Sequence, residues 1–112
     1  MAPEGTILQR RASWRAGQRE RLRLQTRAQL ANALRELIPG QPVRIFGSLA
    51  VPGHFHERSD IDLALETEPV SMTRLSLMGH LEERLGRPVE VLLLAKCRFK
   101  RKILSEGELW TS

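Results

Sequence analysis

The apolar positions in the first half of the chain predict one long helix. Apolar residues recur at i, i+4, i+7 and i+8, which places them on one face of a helix: Leu30, Leu34, Leu37 and Ile38. We expect this helix to begin near Ser13, a favourable N-cap residue, and to follow a loose arm formed by residues 1–12. The Pro-Gly-Gln-Pro sequence after Ile38 predicts the end of the helix.

The rest of the chain alternates between short apolar runs and amphipathic segments. Three runs predict strands: 43–46, 61–66 and 89–94. The third run is the most apolar, and we expect it at the centre of the sheet. Two segments predict helices: 71–85 and 99–107. Their expected inward residues are Leu75, Leu77, Met78, Leu81 and Leu85 in the first, and Ile103 and Leu104 in the second.

This order of elements predicts an α+β fold in which helices pack on a small mixed sheet of three or four strands. At 112 residues, we expect one domain over residues 1–112. The single cysteine, Cys97, fits a reducing cytoplasm. The apolar runs are too short to span a bilayer, and the first residues lack the pattern of a signal peptide.

Positive charge is concentrated in the predicted arm and first helix. The formal net charge is +5. The arginines of this region are Arg10, Arg11, Arg15, Arg19, Arg21, Arg23 and Arg27. Such a surface favours nucleotide phosphates, nucleic acid or an acidic partner protein, and a solvated helix face is an equally good interpretation.

The chain contains only two aspartates, Asp60 and Asp62, among thirteen acidic residues. On a strand they point to the same side, with Cα atoms roughly 6.5 Å apart. Two such carboxylates repel each other and suit a strand poorly. A divalent cation explains the pair, and Mg²⁺ is the leading candidate.

Two further pieces flank the aspartates along the chain. Gly47 and Ser48 follow the first strand, where glycine lets a backbone approach a phosphate group closely. Glu90 is a lone acid in the third strand, and it can face the aspartates if the second and third strands are neighbours. The alternative is an ion pair of Glu90 with Arg44 or Arg87.

The combined motif resembles a known family. Phe46-Gly47-Ser48, then eleven residues, then Asp60-Ile61-Asp62-Leu63, is similar to the signature of the DNA polymerase β-like nucleotidyltransferases. It resembles most closely their smallest members, the minimal nucleotidyltransferase (MNT) domain proteins. The resemblance runs from about Leu30 to Trp110 and includes the single carboxylate of the third strand.

The resemblance implies a role for each of these residues. Asp60, Asp62 and Glu90 would bind two magnesium ions, and Gly47 and Ser48 would hold the triphosphate of ATP. A hydroxyl would attack the α-phosphate in line, with pyrophosphate leaving, and Glu90 would help to deprotonate that hydroxyl.

The chain departs from the family pattern at two places. Leu49 and Val51 stand where the family commonly has basic residues, so Arg58 or Arg44 is the candidate replacement for phosphate binding. Glu90 is longer by one methylene than the usual aspartate, and a displacement of about 1 Å can cost roughly 100-fold in rate.

The resemblance also implies a partner. MNT proteins resemble the antitoxin half of two-gene systems whose toxin is a helical HEPN-type RNase, so the expected acceptor is a tyrosine of that toxin in a hetero-oligomer. This chain has no tyrosine of its own. The alternatives are an antitoxin that neutralises its partner by contact alone, transfer to a small molecule such as an aminoglycoside, and direct nucleic-acid binding. The low aromatic content argues against the last.

Overall fold

The structure is a computed structural model that describes residues 7–111. Along the chain its elements are α1 (Ile7–Leu37), β1 (Val43–Phe46), a first 3₁₀ turn (Gly47–Ala50), β2 (Ile61–Leu65), α2 (Arg74–Leu85), β3 (Val89–Leu93), a second 3₁₀ turn (Leu94–Lys96), α3 (Lys100–Glu106) and β4 (Glu108–Trp110). The predicted α+β class is confirmed. Among residues 7–111, no helix is both long and apolar enough to cross a membrane.

The four strands form one mixed sheet in the order β3-β2-β1-β4. β1 runs antiparallel to both β2 and β4, whereas β2 and β3 are parallel and joined by α2. The prediction that the third strand is central is wrong, because β3 lies at an edge. Its buried and exposed residues alternate, with Val89 and Val91 inside and Glu90 outside, and Leu94 belongs to the following turn.

α1 and α2 cover one face of the sheet and enclose the main core. Leu30 of α1 and Leu81 of α2 are fully buried against strand residues such as Ile45, Leu63 and Val91. The stripe predicted for the first helix is therefore confirmed. The opposite face carries a smaller cluster in which Ile103 of α3 packs with Ala64 and Leu94. The sheet face opposite α1 and α2 is therefore only partly covered, which leaves space there for a binding site.

The first helix begins at Ile7, so the predicted start at Ser13 is wrong and Ser13 lies within the helix. Residues 7–16 contain Leu, Gln, Arg and Ala, which are good helix formers, and lack proline. The predicted arm is thus helical from residue 7 onward, and residues 1–6 lie outside the described residues.

The other helices differ from prediction at single positions. α2 begins at Arg74, because the Thr73 hydroxyl accepts a hydrogen bond from Ser76 N at 3.0 Å and caps the helix. Leu75 lies on the opposite side of α2 from the buried Leu77 and Leu81 and is 76% exposed, and Leu104 of α3 is 43% exposed. The prediction that these two leucines face inward is therefore wrong. Gly86 adopts the left-handed conformation expected of a helix stop.

Candidate active site

Two carboxylates stand opposite each other on neighbouring strands. Asp62 of β2 is in register with Glu90 of β3. Ile61 and Leu63 point into the core, so Asp62 and Glu90 share the face that α1 and α2 do not cover. The predicted adjacency of the second and third strands is confirmed, and with it the approach of Glu90 to the aspartates.

Asp60 joins this pair electrostatically. Burial raises the pKa of Asp62, and the negative charges of Glu90 and Asp60 raise that pKa further. The alternative ion pairs of Glu90 do not form: Arg44 pairs with Glu66 at 3.7 Å, and no described residue forms an ion pair with Glu90. The half-buried carboxylate of Asp62 is therefore repelled by two neighbouring carboxylates, those of Glu90 and Asp60.

Gly47 brings the first motif into contact with the second. Its φ of +72° lies in the left-handed region that favours glycine. A Cβ added at Gly47 would clash with Oδ2 of Asp62. Glycine is needed here both for its backbone conformation and for the space that the Asp62 carboxylate occupies.

A cleft of about 620 Å³ opens beside this contact. The motif residues in its wall are Gly47, Ser48 and Asp62, and the side chains around them include Val51, His54, Phe99, Lys102 and Glu106. Lys102 was not predicted as a site residue, because only the packing of α3 brings it to the cleft. The available signal in the sequence was a second cluster of basic residues: Lys96, Arg98, Lys100, Arg101 and Lys102.

Arg58 does not line this cleft. It borders a separate groove beside α1. Arg44 lines neither depression and pairs with Glu66. We expected Arg58 or Arg44 to provide a positively charged side chain in the cleft, but the basic side chain that lines it is Lys102.

Two arginines of α1 hold the first 3₁₀ turn in place. Arg23, a buried residue, donates from Nε to the carbonyl oxygen of Leu49 at 2.9 Å and from Nη2 to that of Ala50 at 3.4 Å. Arg27 donates to Leu49 O at 3.4 Å and forms an ion pair with Glu108. These contacts fasten the turn that carries Gly47 and Ser48 to the long helix.

The loop before Asp60 is anchored as well. Phe55 is fully buried, and the guanidinium of Arg87 lies over its ring at 4.5 Å. Arg87 also donates to the carbonyl oxygens of His56 and Ser59 at 3.1 and 3.0 Å. The aspartates therefore follow a fixed loop.

The donor set suits a hard cation such as Mg²⁺, which prefers carboxylate oxygens. Within residues 7–111, no three His, Cys, Asp or Glu side chains are placed to hold a metal ion by themselves, so the predicted ligands Asp60, Asp62 and Glu90 do not form a complete metal site. Mg²⁺ commonly binds through one or two carboxylates together with water and substrate phosphates, so a closed cage is not required. The repulsion around Asp62 is the feature that a cation would relieve.

Family comparison agrees with this geometry. The family model described as "Polymerase beta, Nucleotidyltransferase" matches residues 29–112. The chain belongs to the polymerase β nucleotidyltransferase family. The match starts within α1 and includes every motif residue discussed above. No curated protein matches the chain significantly.

Three solved structures share the nucleotidyltransferase fold. A chain from a toxin–antitoxin crystal structure with AMP-PNP is 25% identical, with a TM-score of 0.58, and the match covers 76% of this chain and 73% of that one. A chain from the MntA-HepT toxin–antitoxin structure is 21% identical, with a TM-score of 0.55 and coverages of 80% and 73%. A chain from an MntA-HpeT mutant is 21% identical, with a TM-score of 0.52 and coverages of 74% and 70%.

Proposed function

We propose that this nucleotidyltransferase moves AMP from ATP to a tyrosine hydroxyl of a helical, HEPN-type toxin, and so acts as the antitoxin of a pair. The observation that carries the proposal is the opposition of Asp62 and Glu90 beside Gly47, with Asp60 two residues away. Carboxylates placed in this way can contribute ligands to the cations that phosphoryl transfer uses, and Asp62 also lines a cleft of about 620 Å³.

Each side chain has a separate task in this proposal. The amides at Gly47 and Ser48 and the Ser48 hydroxyl donate to the triphosphate, and the Lys102 ammonium neutralises part of its charge. The Glu90 carboxylate is exposed, so it can accept the proton of the attacking hydroxyl. The oxygen of that hydroxyl bonds to the α-phosphorus as the bond to pyrophosphate breaks.

Asp60, Asp62 and Glu90 are the residues that would hold Mg²⁺. Bound there, Mg²⁺ supplies charge stabilisation for the attacking and leaving oxygens, as in other two-metal sites. Burial raises the pKa of Asp62, and the negative charges of Glu90 and Asp60 raise it further. A cation bound beside Asp62 would relieve the repulsion between these carboxylates.

The proposed nucleotide and partner rest on similarity. The structure with AMP-PNP, an analogue of ATP, belongs to a toxin–antitoxin complex, and a chain of it is 25% identical to this one. Because this chain has no tyrosine, an acceptor tyrosine must come from another molecule. Adding AMP to a toxin would introduce bulk and negative charge at the modified site.

A transfer assay tests the proposal. The chain is incubated with Mg²⁺, its neighbour-encoded helical protein and ATP that is labelled at either the α- or the γ-phosphate. We expect label on the partner only from the α position, because AMP transfer retains the α-phosphate and releases the other two. Asp60→Asn, Asp62→Asn and Glu90→Gln should each reduce transfer at least 100-fold.

Glu68→Gln is the matched control, because Glu68 is an exposed acid outside the cleft that pairs with Arg74. Label from the γ position would identify a kinase instead. Unlabelled partner, together with toxin neutralisation that survives Asp60→Asn and Asp62→Asn, would replace the enzyme with an antitoxin that works by contact.

A further inference from the structure

The first part of α1 projects from the domain. Residues 7–19 are all exposed, and the first buried residue of the helix is Arg23. A helix of 31 residues is about 46 Å long, and the molecule measures 59 × 29 × 21 Å along its principal axes. We call residues 7–22 the projecting segment.

The projecting segment contains good helix formers, but several of its features do not favour a helix that stands alone in water. Its first turn lacks an acidic residue, whereas Arg10 and Arg11 oppose the positive end of the helix dipole. Gly17 costs about 1 kcal/mol relative to alanine, and no side chain of residues 7–19 is buried to stabilise this part of the helix by packing. The residue types of the projecting segment are therefore better explained by a role in binding another molecule than by a role in stabilising the helix.

The surface of the segment is basic and partly apolar. It has five arginines and one glutamate, so it carries four of the five net positive charges of the chain. Arg15, Arg19 and Arg21 form no ion pair with any residue in the described part of the chain. Its large exposed apolar side chains are Ile7 (69%), Leu8 (74%) and Trp14 (66%).

A groove of about 830 Å³ runs between the projecting segment and the loop before the aspartates. The helix supplies Trp14, Arg15, Gln18, Arg19, Arg21, Leu22 and Gln25, and the loop supplies His56, Glu57 and Arg58. The groove is therefore lined by four arginines and one tryptophan, and Glu57 is its single acidic residue. Arg58, which has no place in the active-site cleft, belongs to this groove.

We propose that the groove is the docking site for an acidic surface segment of the partner protein. Trp14 would be the apolar anchor, and Arg15, Arg19 and Arg58 would bind carboxylates of the partner. Tryptophan and arginine are the residues that most often dominate protein interfaces, and guanidinium groups bind carboxylates in a bidentate manner. The proposal rests on the proposed function only for the identity of the partner.

The position of the groove links docking to chemistry. The loop that supplies His56 and Arg58 continues into Asp60 and Asp62, and His54 of the same loop lines the active-site cleft. A partner held in the groove is therefore held against the segment that borders both sites. Docking there would retain the acceptor near the nucleotide without an additional substrate-binding domain.

Charge and composition favour an acidic protein over two other occupants. A second copy of the chain would bring the same basic surface and be repelled. Proteins that bind single-stranded nucleic acid commonly stack successive bases on several aromatic side chains, whereas the groove wall offers only Trp14 and the imidazole of His56.

The test measures affinity of the full-length chain for its neighbour-encoded helical protein by calorimetry at low and moderate salt. We expect Trp14→Ala and the double variant Arg15→Glu/Arg19→Glu each to weaken binding at least tenfold, and the double variant to reduce the salt dependence. Arg35→Glu, which makes one such charge reversal on the same helix but outside the groove, should alter affinity less than about twofold. Circular dichroism verifies that each variant is folded.

Unchanged affinity in folded Trp14→Ala and Arg15→Glu/Arg19→Glu would overturn the docking site, even if the wild type transfers AMP. Weakened binding without AMP transfer by the wild type would retain the docking site and reject only the enzyme. Two further results would also overturn it: steeply salt-dependent binding to an RNA duplex that the double variant loses while partner affinity is retained, or a dimer in sedimentation that Trp14→Ala abolishes.

Discussion

Gly47 meets two constraints at once, because its φ is +72° and Oδ2 of Asp62 occupies the space of a side chain. Gly53 has φ of +82° but open space around its Cα, so it isolates the backbone constraint. We expect Gly53→Ala to cost about 1 kcal/mol of unfolding free energy and Gly47→Ala at least about 1 kcal/mol more. Urea denaturation measures both. Equal losses would mean that the Asp62 carboxylate is not held against Gly47.

Asp62 predicts an unusual dependence of stability on pH. Its folded-state pKa is raised by burial, Glu90 and Asp60, so the folded protein binds this proton more tightly than the unfolded chain does. Its contribution to stability is therefore complete below the unfolded pKa and is lost as pH rises through the folded pKa. In Mg²⁺-free buffer at pH 7, we expect Asp62→Asn to raise Tm by a few degrees, an effect within about 1 kcal/mol.

Thermal melts between pH 4 and pH 8 test this expectation. The gain from Asp62→Asn should shrink at the acid end, and Mg²⁺ should stabilise the wild type but not the variant. Glu83→Gln, at an exposed acid of α2, serves as the control and should leave the pH profile of Tm unchanged. A variant less stable than wild type at pH 7 would contradict the repulsion.

Lys102 is the basic side chain that the tertiary structure adds to the cleft. We expect Lys102→Ala to weaken binding of an ATP analogue about tenfold, since a charge-assisted contact to phosphate is lost. Arg101→Ala removes an equal charge from the preceding, exposed position and should have little effect. Titration of the analogue in the presence of Mg²⁺ compares the two, and equal losses would assign the effect to general charge.

At the scale of elements, the first 3₁₀ turn depends on α1. Arg23 is the buried donor to Leu49 O and Ala50 O, so Arg23→Met leaves the turn without its strongest contact. We expect a loss of about 2–3 kcal/mol of unfolding free energy, together with weaker nucleotide binding. Arg35→Met, which changes an exposed arginine at the other end of the helix, is the control and should cost less than about 0.5 kcal/mol.

Burial explains why Leu49 is apolar at a position where the family commonly has a basic residue, because its side chain is part of the main core. The Leu49 side chain is fully buried, and its carbonyl oxygen accepts hydrogen bonds from Arg23 and Arg27.

The types of the secondary-structure elements were predictable because their apolar spacing is a local property of the chain. Strand order was not predictable from spacing, since the same apolar run fits a central strand and the edge strand that β3 forms.

For the whole molecule, the core and the projecting segment are expected to be separable. None of residues 7–19 is buried, so deleting residues 1–19 should change the unfolding free energy by less than about 1 kcal/mol. The truncated chain should still bind the ATP analogue but lose its partner, as calorimetry with each ligand can show. Loss of cooperative unfolding would mean instead that the projecting segment supports the core.

From the sequence we could predict the three helices, three of the four strands, the family resemblance, and the candidate residues Gly47, Ser48, Asp60, Asp62 and Glu90. The short strand β4 was not predicted. These predictions were possible because apolar periodicity, turn residues and motif spacing are local properties of the chain. The sequence also indicated a basic first helix, without distinguishing a solvated face from a binding surface.

Which of these residues lie close together could be learned only from the tertiary structure. The parallel register of β2 and β3 sets Glu90 opposite Asp62, and α3 carries Lys102 to the cleft while Arg58 faces the groove beside α1. Packing likewise separates the arginines of α1, since Arg23 is buried under the first 3₁₀ turn and Arg15 and Arg19 remain exposed. These pairings join residues far apart in the chain, and long-range contacts leave no periodic signal in a single sequence.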